Sequence, residues 1–173
     1  NLNGFSLVVG LAIIKVLEKE CLVEGFKIKW PNDIYFKSNK IAGILLENQI
    51  LLDNQFVVIG VGVNYNLNQN FNCEIPWTDL ATSAKKMPDI HSLTAKLIDS
   101  ILITSEHFKM NGLSSLLDQW DKYDMLKESK VRLIESGKPV EGKVTGISQQ
   151  GALQVLTQNG VKELYSSKYI EFI

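Results

Sequence analysis

Apolar residues recur at three- and four-residue spacing from Leu7 and Val8 through Leu11 and Ile14 to Leu17, the period of a helix face packed on a core. Ser6 has the side chain of an N-cap, so a helix is expected from there to about Glu20. Gly10 inside it costs about 1 kcal/mol relative to Ala and marks a close approach by a neighbour. Short β-forming runs follow. Phe26 to Trp30 is cut by Pro31, which lacks an N–H for a ladder and pushes Trp30 towards an extended conformation. Ile34 to Lys37, Lys40 to Leu52 and Phe56 to Val63 are joined by the turn pairs Ser38-Asn39 and Asp53-Asn54, which makes a mostly antiparallel meander. The unbroken apolar runs Ile41 to Leu46 and Phe56 to Val63 predict burial on both faces, with helices over one of them.

Tyr65 to Pro76 is asparagine-rich and aperiodic, hence a loop. Thr78-Asp79 caps a short helix to about Lys86, stopped by Met87-Pro88-Asp89. Ser92 is expected to cap a longer helix with Leu93, Leu97, Ile98, Ile101 and Phe108 on one face. After Asn111-Gly112, Leu113, Leu116, Leu117 and Trp120 continue in a third helix, a core stripe. From Lys130 onward the pattern is five short strands, with tight-turn signals at Ser136-Gly137, Gln150-Gly151 and Asn159-Gly160. Two units are expected, residues 1–126 and 127–173. The second is a small β-barrel that buries little apolar area and leans on the first. The fold class is α+β.

Charge narrows the function. Lys+Arg is 18 against Asp+Glu 19, a net charge of -1, so the basic surplus of a nucleic-acid binder is missing and DNA binding is not supported. Cys21 and Cys73 have no metal or redox spacing and read as reduced thiols of a cytoplasmic protein. No apolar run approaches the ~20 residues of a membrane span, and no signal peptide is visible. The chain opens without methionine, and a preceding segment is expected. His91 and His107 read as surface or packing residues, and Trp30 as a packing residue.

Candidate chemistry concentrates in Lys29-Trp30-Pro31-Asn32-Asp33 and Lys40-Ile41-Ala42-Gly43. A lysine at a strand end acts as a point charge on phosphate. A carboxylate there binds Mg²⁺ or accepts a proton, and Asn32 offers donors and an acceptor. A glycine in mid-strand admits a ligand or another backbone. The alternative is a solvated surface hairpin with Pro-Asn-Asp as its turn. Gly60 and Gly62 are not a dinucleotide fingerprint, since no helix follows them.

These segments, together with Val58-Ile-Gly-Val-Gly-Val-Asn64 and the late strands around Gly146-Ile147-Ser148 and Gly151-Ala152-Leu153, resemble the catalytic core and C-terminal domain of biotin protein ligases. The resemblance implies a domain similar to class II aminoacyl-tRNA synthetases, a mixed, mostly antiparallel sheet with helices, followed by an SH3-like barrel. It implies a reaction in which biotin and ATP give biotinyl-5′-adenylate, which then acylates a lysine of a biotin carboxyl carrier domain. Lys40 is then the key lysine, meeting the biotin carboxylate and the α-phosphate. Lys29 lies on the phosphate side. Asn32 and Asp33 handle phosphate, Mg²⁺ or both, and Asp33 also orients or deprotonates the acceptor lysine. Gly43 and Ile44 adjoin biotin, and Asn64 contacts the nucleotide. Trp77 is expected to cover the adenine or to pack, and Glu47 to play a polar part in the site or none. The resemblance also implies a Gly/Arg-rich loop upstream of Leu2; the single arginine of this chain is Arg132. The tail Tyr169-Ile170-Glu171-Phe172 lacks a basic residue that some relatives use to reach the nucleotide. The competing readings are a lipoate or octanoyl ligase or transferase, and a non-catalytic module that binds the carrier or forms a homodimer through exposed β-edges such as Phe56 to Val63.

Overall fold

The computed structural model describes residues 2–52, 54–67, 73–135, 137–167 and 169–173. The expected turns at Asp53 and Ser136, and the middle of the asparagine-rich loop, lie outside the described residues. The chain begins with helix α1 (Phe5–Cys21), followed by strands β1 (Phe26–Lys29), β2 (Asp33–Phe36), β3 (Asn39–Leu51) and β4 (Asn54–Val63), paired in sequence order into an antiparallel sheet. Helices α2 (Leu80–Ser83), α3 (Ile90–Asn111) and, after a 3₁₀ turn, α4 (Leu117–Tyr123) follow. Strands β5 (Lys130–Glu135), β6 (Lys138–Ile147), β7 (Leu153–Thr157), β8 (Gly160–Leu164) and β9 (Ile170–Phe172) form a second antiparallel sheet in the order β8-β7-β6-β5-β9. The architecture is α+β, as expected. No helix among the described residues is long and apolar enough to cross a membrane.

Helix α1 is the hub of the core. Leu7, Val8, Val9, Leu11, Ile13, Ile14 and Leu17 are all buried, so it is apolar nearly all round. Such a helix is sandwiched rather than laid on a surface; α3 packs on one side and β1 and β3 on the other. Gly10 permits this. A Cβ there would stand 3.0 Å from Ile28 Cδ1 and 3.5 Å from Ile44 Cδ1.

Five local expectations are corrected. Helix α1 is preceded by Gly4 in the left-handed region, φ 76°, and has no side-chain cap. Ser6 lies inside the first turn and its hydroxyl donates instead to the Pro31 carbonyl at 2.9 Å. Asp89, not Ser92, caps α3, because its carboxylate accepts the Ser92 N–H at 2.9 Å. Helix α2 ends at Ser83 rather than Lys86, since the Lys85 and Lys86 N–H groups donate to the Cys21 carbonyl at 3.1 and 3.2 Å. Strand β4 is partly buried on one face only: Val57, Ile59, Val61 and Val63 lean on the core, while Phe56 and Val58 stand exposed. Its apolar run reflects β-propensity, not two covered faces. Ile98 of α3 is likewise exposed rather than packed.

The two sheets meet along a seam made by backbone and one indole. Trp30 is buried, and its Nε1 donates to the Gly151 carbonyl at 3.0 Å. Gly151 has φ 77°, and a Cβ there would lie 2.5 Å from the Gly4 Cα. Nearby, the Met125 N–H donates to the Ile28 carbonyl at 2.9 Å. The buried Asp124 carboxylate accepts from Trp120 Nε1 at 3.0 Å and from the Leu126 N–H at 2.8 Å. Gly151→Ala adds both left-handed strain and an overlap that no rotamer relieves. It is expected to lower unfolding free energy by roughly 2–4 kcal/mol. This would be read as a fall in urea midpoint at unchanged slope. A loss below about 1 kcal/mol, within the ordinary range of point mutants, would mean that the seam is not tight.

Candidate functional site

The site is built where β2 and β3 slip out of simple register. Asp33 pairs with Gly43 and Ile34 with Ala42, but Tyr35 pairs with Lys40, so Ile41 is the extra residue of a bulge. Bulges re-aim side chains, and here the Lys40 Nζ comes to 2.7 Å from Asp33 Oδ1. Both side chains are partly exposed, 32% and 24%. A pair this open to water contributes about 0–1 kcal/mol, so an incoming anion separates it at little cost.

Lys40 has a firm backbone beneath this loose pair. Its N–H donates to the Pro76 carbonyl and its carbonyl accepts from the Thr78 N–H, both at 2.9 Å, bracketing Trp77. The Asn64 side-chain amide then donates to the carbonyls of Thr78 (2.9 Å) and Lys40 (3.3 Å). Asn64 thus ties β4 to the Lys40–Trp77 bridge, using both amide hydrogens for backbone. Buried Asp79 fixes the start of the loop by accepting the Leu67 N–H at 2.8 Å and the Thr82 N–H at 2.9 Å.

Gly43 forms the floor beside the ion pair. A Cβ there would sit 3.3 Å from Asp33 Oδ1 and 3.6 Å from Lys40 Nζ. Lys40, Gly43, Asn64, Leu67, Cys73 and Trp77 line a cavity of about 210 Å³, which brings Trp77 into the site. Asn32 lines the larger cleft that also holds Lys29 and Asp33, with its side-chain amide tied to backbone. Its side chain donates to the Ile44 carbonyl at 2.7 Å, and its own carbonyl accepts the Ile44 N–H at 2.9 Å. Ile44 was expected beside biotin, but its side chain is buried against the Gly10 position of α1, on the face opposite Gly43. Alternation along a strand requires this. Glu47 is exposed, pairs in register with Val58 and lines neither cavity of the site.

Lys29 stands apart from the pair. Its Nζ donates to the Ile170 carbonyl of β9 at 3.1 Å and lies 5.8 Å from the Tyr35 ring centroid and 5.6 Å from that of Phe172. Burial pushes this ammonium below the usual lysine range; Asp33 opposes that shift and Lys40 adds to it. Lys29, Asp33, Tyr35, Tyr169 and Phe172 line a cleft of about 950 Å³ between the two sheets. Tyr35, Leu67 and Phe172 were not singled out from the sequence. The alternation of β2 is the one local signal that pointed to Tyr35. The cysteines take separate places: Cys73 is exposed at the small cavity, while burial pushes the Cys21 thiol up to about 11, keeping it protonated. His91 and His107 are exposed, away from the site.

Among the described residues no three His, Cys, Asp or Glu side chains gather as a metal site. Asp33 is the carboxylate beside the lysines. Mg²⁺ is commonly held by one or two carboxylates together with substrate phosphates, and that donor set fits Asp33 with a bound triphosphate.

A family model described as the Biotin/lipoate A/B protein ligase family matches residues 1–64, and one described as the Biotin protein ligase C terminal domain matches residues 128–167. The chain is 34% identical over 161 residues to the bifunctional ligase/repressor BirA of Escherichia coli, a match that covers 91% of this chain and 49% of that protein. It is 30% identical over 168 residues to BirA of Bacillus subtilis, covering 94% of this chain and 51% of that one. The chain therefore spans about half the length of these curated relatives. Biotin protein ligase from Aquifex aeolicus in complex with biotin and ATP has the same fold, with a TM-score of 0.85 at 27% identity over 100% of this chain and 73% of that one. The two models match in order on one chain and the fold agrees over its whole length, so the chain belongs to the biotin protein ligase family.

Proposed function

We propose that this chain is the ATP-dependent biotin-activating and biotin-transferring part of a biotin protein ligase. The observation that carries the reading is the Lys40–Asp33 pair over Gly43, a displaceable cation and a carboxylate on a rigid backbone. In the first step a biotin carboxylate oxygen bonds to the α-phosphorus of ATP and pyrophosphate leaves. Lys40 leaves Asp33 for the carboxylate and α-phosphate, where negative charge crowds. A preorganised donor at such a place contributes roughly 2.7–4 kcal/mol to the barrier. Asn64 keeps Lys40 and Trp77 in register, which is its part in the nucleotide site. Lys29 meets the phosphate end, and Asn32 fixes the strand that bears Asp33. Asp33 would be the carboxylate that holds Mg²⁺, which would neutralise charge on the triphosphate.

In the second step the acceptor lysine amine attacks the carbonyl of the adenylate and AMP leaves. Asp33, freed from Lys40, takes the proton from that amine, which near pH 7 is mostly charged because its ordinary pKa is about 10.4. The acceptor belongs to a biotin carboxyl carrier domain. A homodimer through the outer edge of β4 is part of the same proposal; among the described residues that strand has a strand neighbour on one side only. The family description covers lipoate as well as biotin. A match to the biotin ligase C-terminal domain favours biotin, and competition between biotin and lipoate separates the two.

Two outcomes test the roles. Lys40→Ala should lower biotin-dependent ATP–pyrophosphate exchange about 100-fold or more with the urea midpoint nearly unchanged. Near-normal exchange would remove Lys40 from the reaction. Asp33→Asn should lower transfer to the carrier lysine by about 100-fold at pH 7 while affecting exchange less. That transfer defect should shrink about tenfold per pH unit towards pH 10, as the amine loses its proton unaided. An equal, pH-independent loss in both steps would remove Asp33 as the base and leave it only the metal and phosphate role.

A further inference from the structure

Strand β9 carries no basic residue, yet among the described residues it supplies two of the three contacts around the Lys29 ammonium. The Ile170 carbonyl accepts from Nζ at 3.1 Å, and the Phe172 ring lies 5.6 Å away; the third contact, Tyr35, comes from β2. Residues 29 and 170 lie far apart in the chain, and no local structure makes this pairing necessary. A lysine at the end of a four-residue strand ordinarily extends into water, where its flexible stem is free. Here the stem is drawn under the second sheet, at the wall of the cleft that also holds Asp33. A carbonyl and two ring faces all favour a cation, and none of them neutralises it. The ammonium therefore keeps its charge for a further anion while its direction is fixed.

We propose that β9 is a positioning device for Lys29: the Ile170 carbonyl and the Phe172 ring hold this ammonium at the cleft between the sheets, aimed at the phosphate end of the bound nucleotide. The C-terminal sheet then takes part in nucleotide binding by orienting a lysine of the first sheet, without contributing a charge from β9. The nucleotide half of this inference rests on the ligase reading; the clamp itself does not. Phe172 is about half exposed on β9 and is not among the buried residues of the core, so its replacement leaves the core intact.

The experiment uses the purified protein with Phe172→Leu, which keeps apolar bulk but removes the ring, and Phe172→Tyr, which restores it. Without substrate, the proton shift of the Lys29 ε-methylene reports the ring directly. It should lie upfield, move towards the value of an exposed lysine in Phe172→Leu and return in Phe172→Tyr. An unchanged shift in Phe172→Leu overturns the clamp. In biotin-dependent pyrophosphate exchange, Phe172→Leu should raise KM for ATP roughly two- to fivefold, the equivalent of one exposed cation–π contact, with kcat nearly constant. The same change should have no effect in a Lys29→Ala background. An equal rise in that background would mean that Phe172 merely supports the fold, and would overturn the positioning role. The neighbouring titratable groups are Asp33, Lys40 and Tyr35, so all samples are compared at one pH. If the unmodified protein shows no exchange, the ligase reading and the nucleotide half fall together, while the methylene shift still decides whether β9 holds Lys29.

Discussion

The Gly151 carbonyl accepts the indole N–H of Trp30 while the Gly151 Cα rests against the backbone of Gly4, which leaves no room for a side chain on Gly151. Because this contact is backbone against backbone, it does not flex as two packed side chains would. It locks the start of α1, the turn before β7 and the segment that carries Asn32 and Asp33 into one arrangement. The Ser6 hydroxyl reinforces it from inside α1 by donating to Pro31. Were the seam looser, Lys29 would lose β9, and Asp33 would lose the anchored turn that presents it to Lys40.

Rigidity and looseness are divided within the site. Backbone hydrogen bonds at 2.9 Å fix Lys40 between Pro76 and Thr78, and Asn64 locks the bracket from β4. The Lys40 side chain, by contrast, is held by a partly exposed ion pair worth about 1 kcal/mol or less. A group that must follow charge from a carboxylate to a phosphate needs a fixed root and a free tip. The sequence places both requirements in one residue by setting Lys40 beside a bulge, where the strand keeps its ladder and the side chain changes its aim.

Much of this was legible because it is local. The helix period of α1, the short turns of the meander and the glycine signals of the late strands need only neighbours in sequence. The approach of Asp33 to Lys40 also follows from a short hairpin, and the motif that contains them pointed to the family. Four features were missed. The capping groups shifted because Gly4 and Asp89 met geometric needs that Ser6 and Ser92 only resembled in composition. The face of Ile44 was misjudged, although alternation with Gly43 requires it to point inward. The one-sided burial of β4 was hidden because valine and isoleucine occupy exposed strand positions for their backbone preference. The cluster of Lys29, Tyr35 and Phe172 left no local trace beyond the alternation of β2, because its members come from three strands in two sheets.

The two lysines of the site show how environment divides one residue type into two tasks. Lys29 is desolvated, faced by two rings and tied to a carbonyl, so its charge is costly to form but fixed in direction. Lys40 is partly exposed and paired with a carboxylate that is itself partly exposed, so its position is easily changed. A triphosphate end that stays in place during adenylation suits the fixed cation. The reacting carboxylate and α-phosphate, whose charge shifts as the bond forms, suit the movable one. Exchanging the two environments while keeping both lysines would therefore damage the site as surely as deleting either, because function here depends on which ammonium is held and which is free.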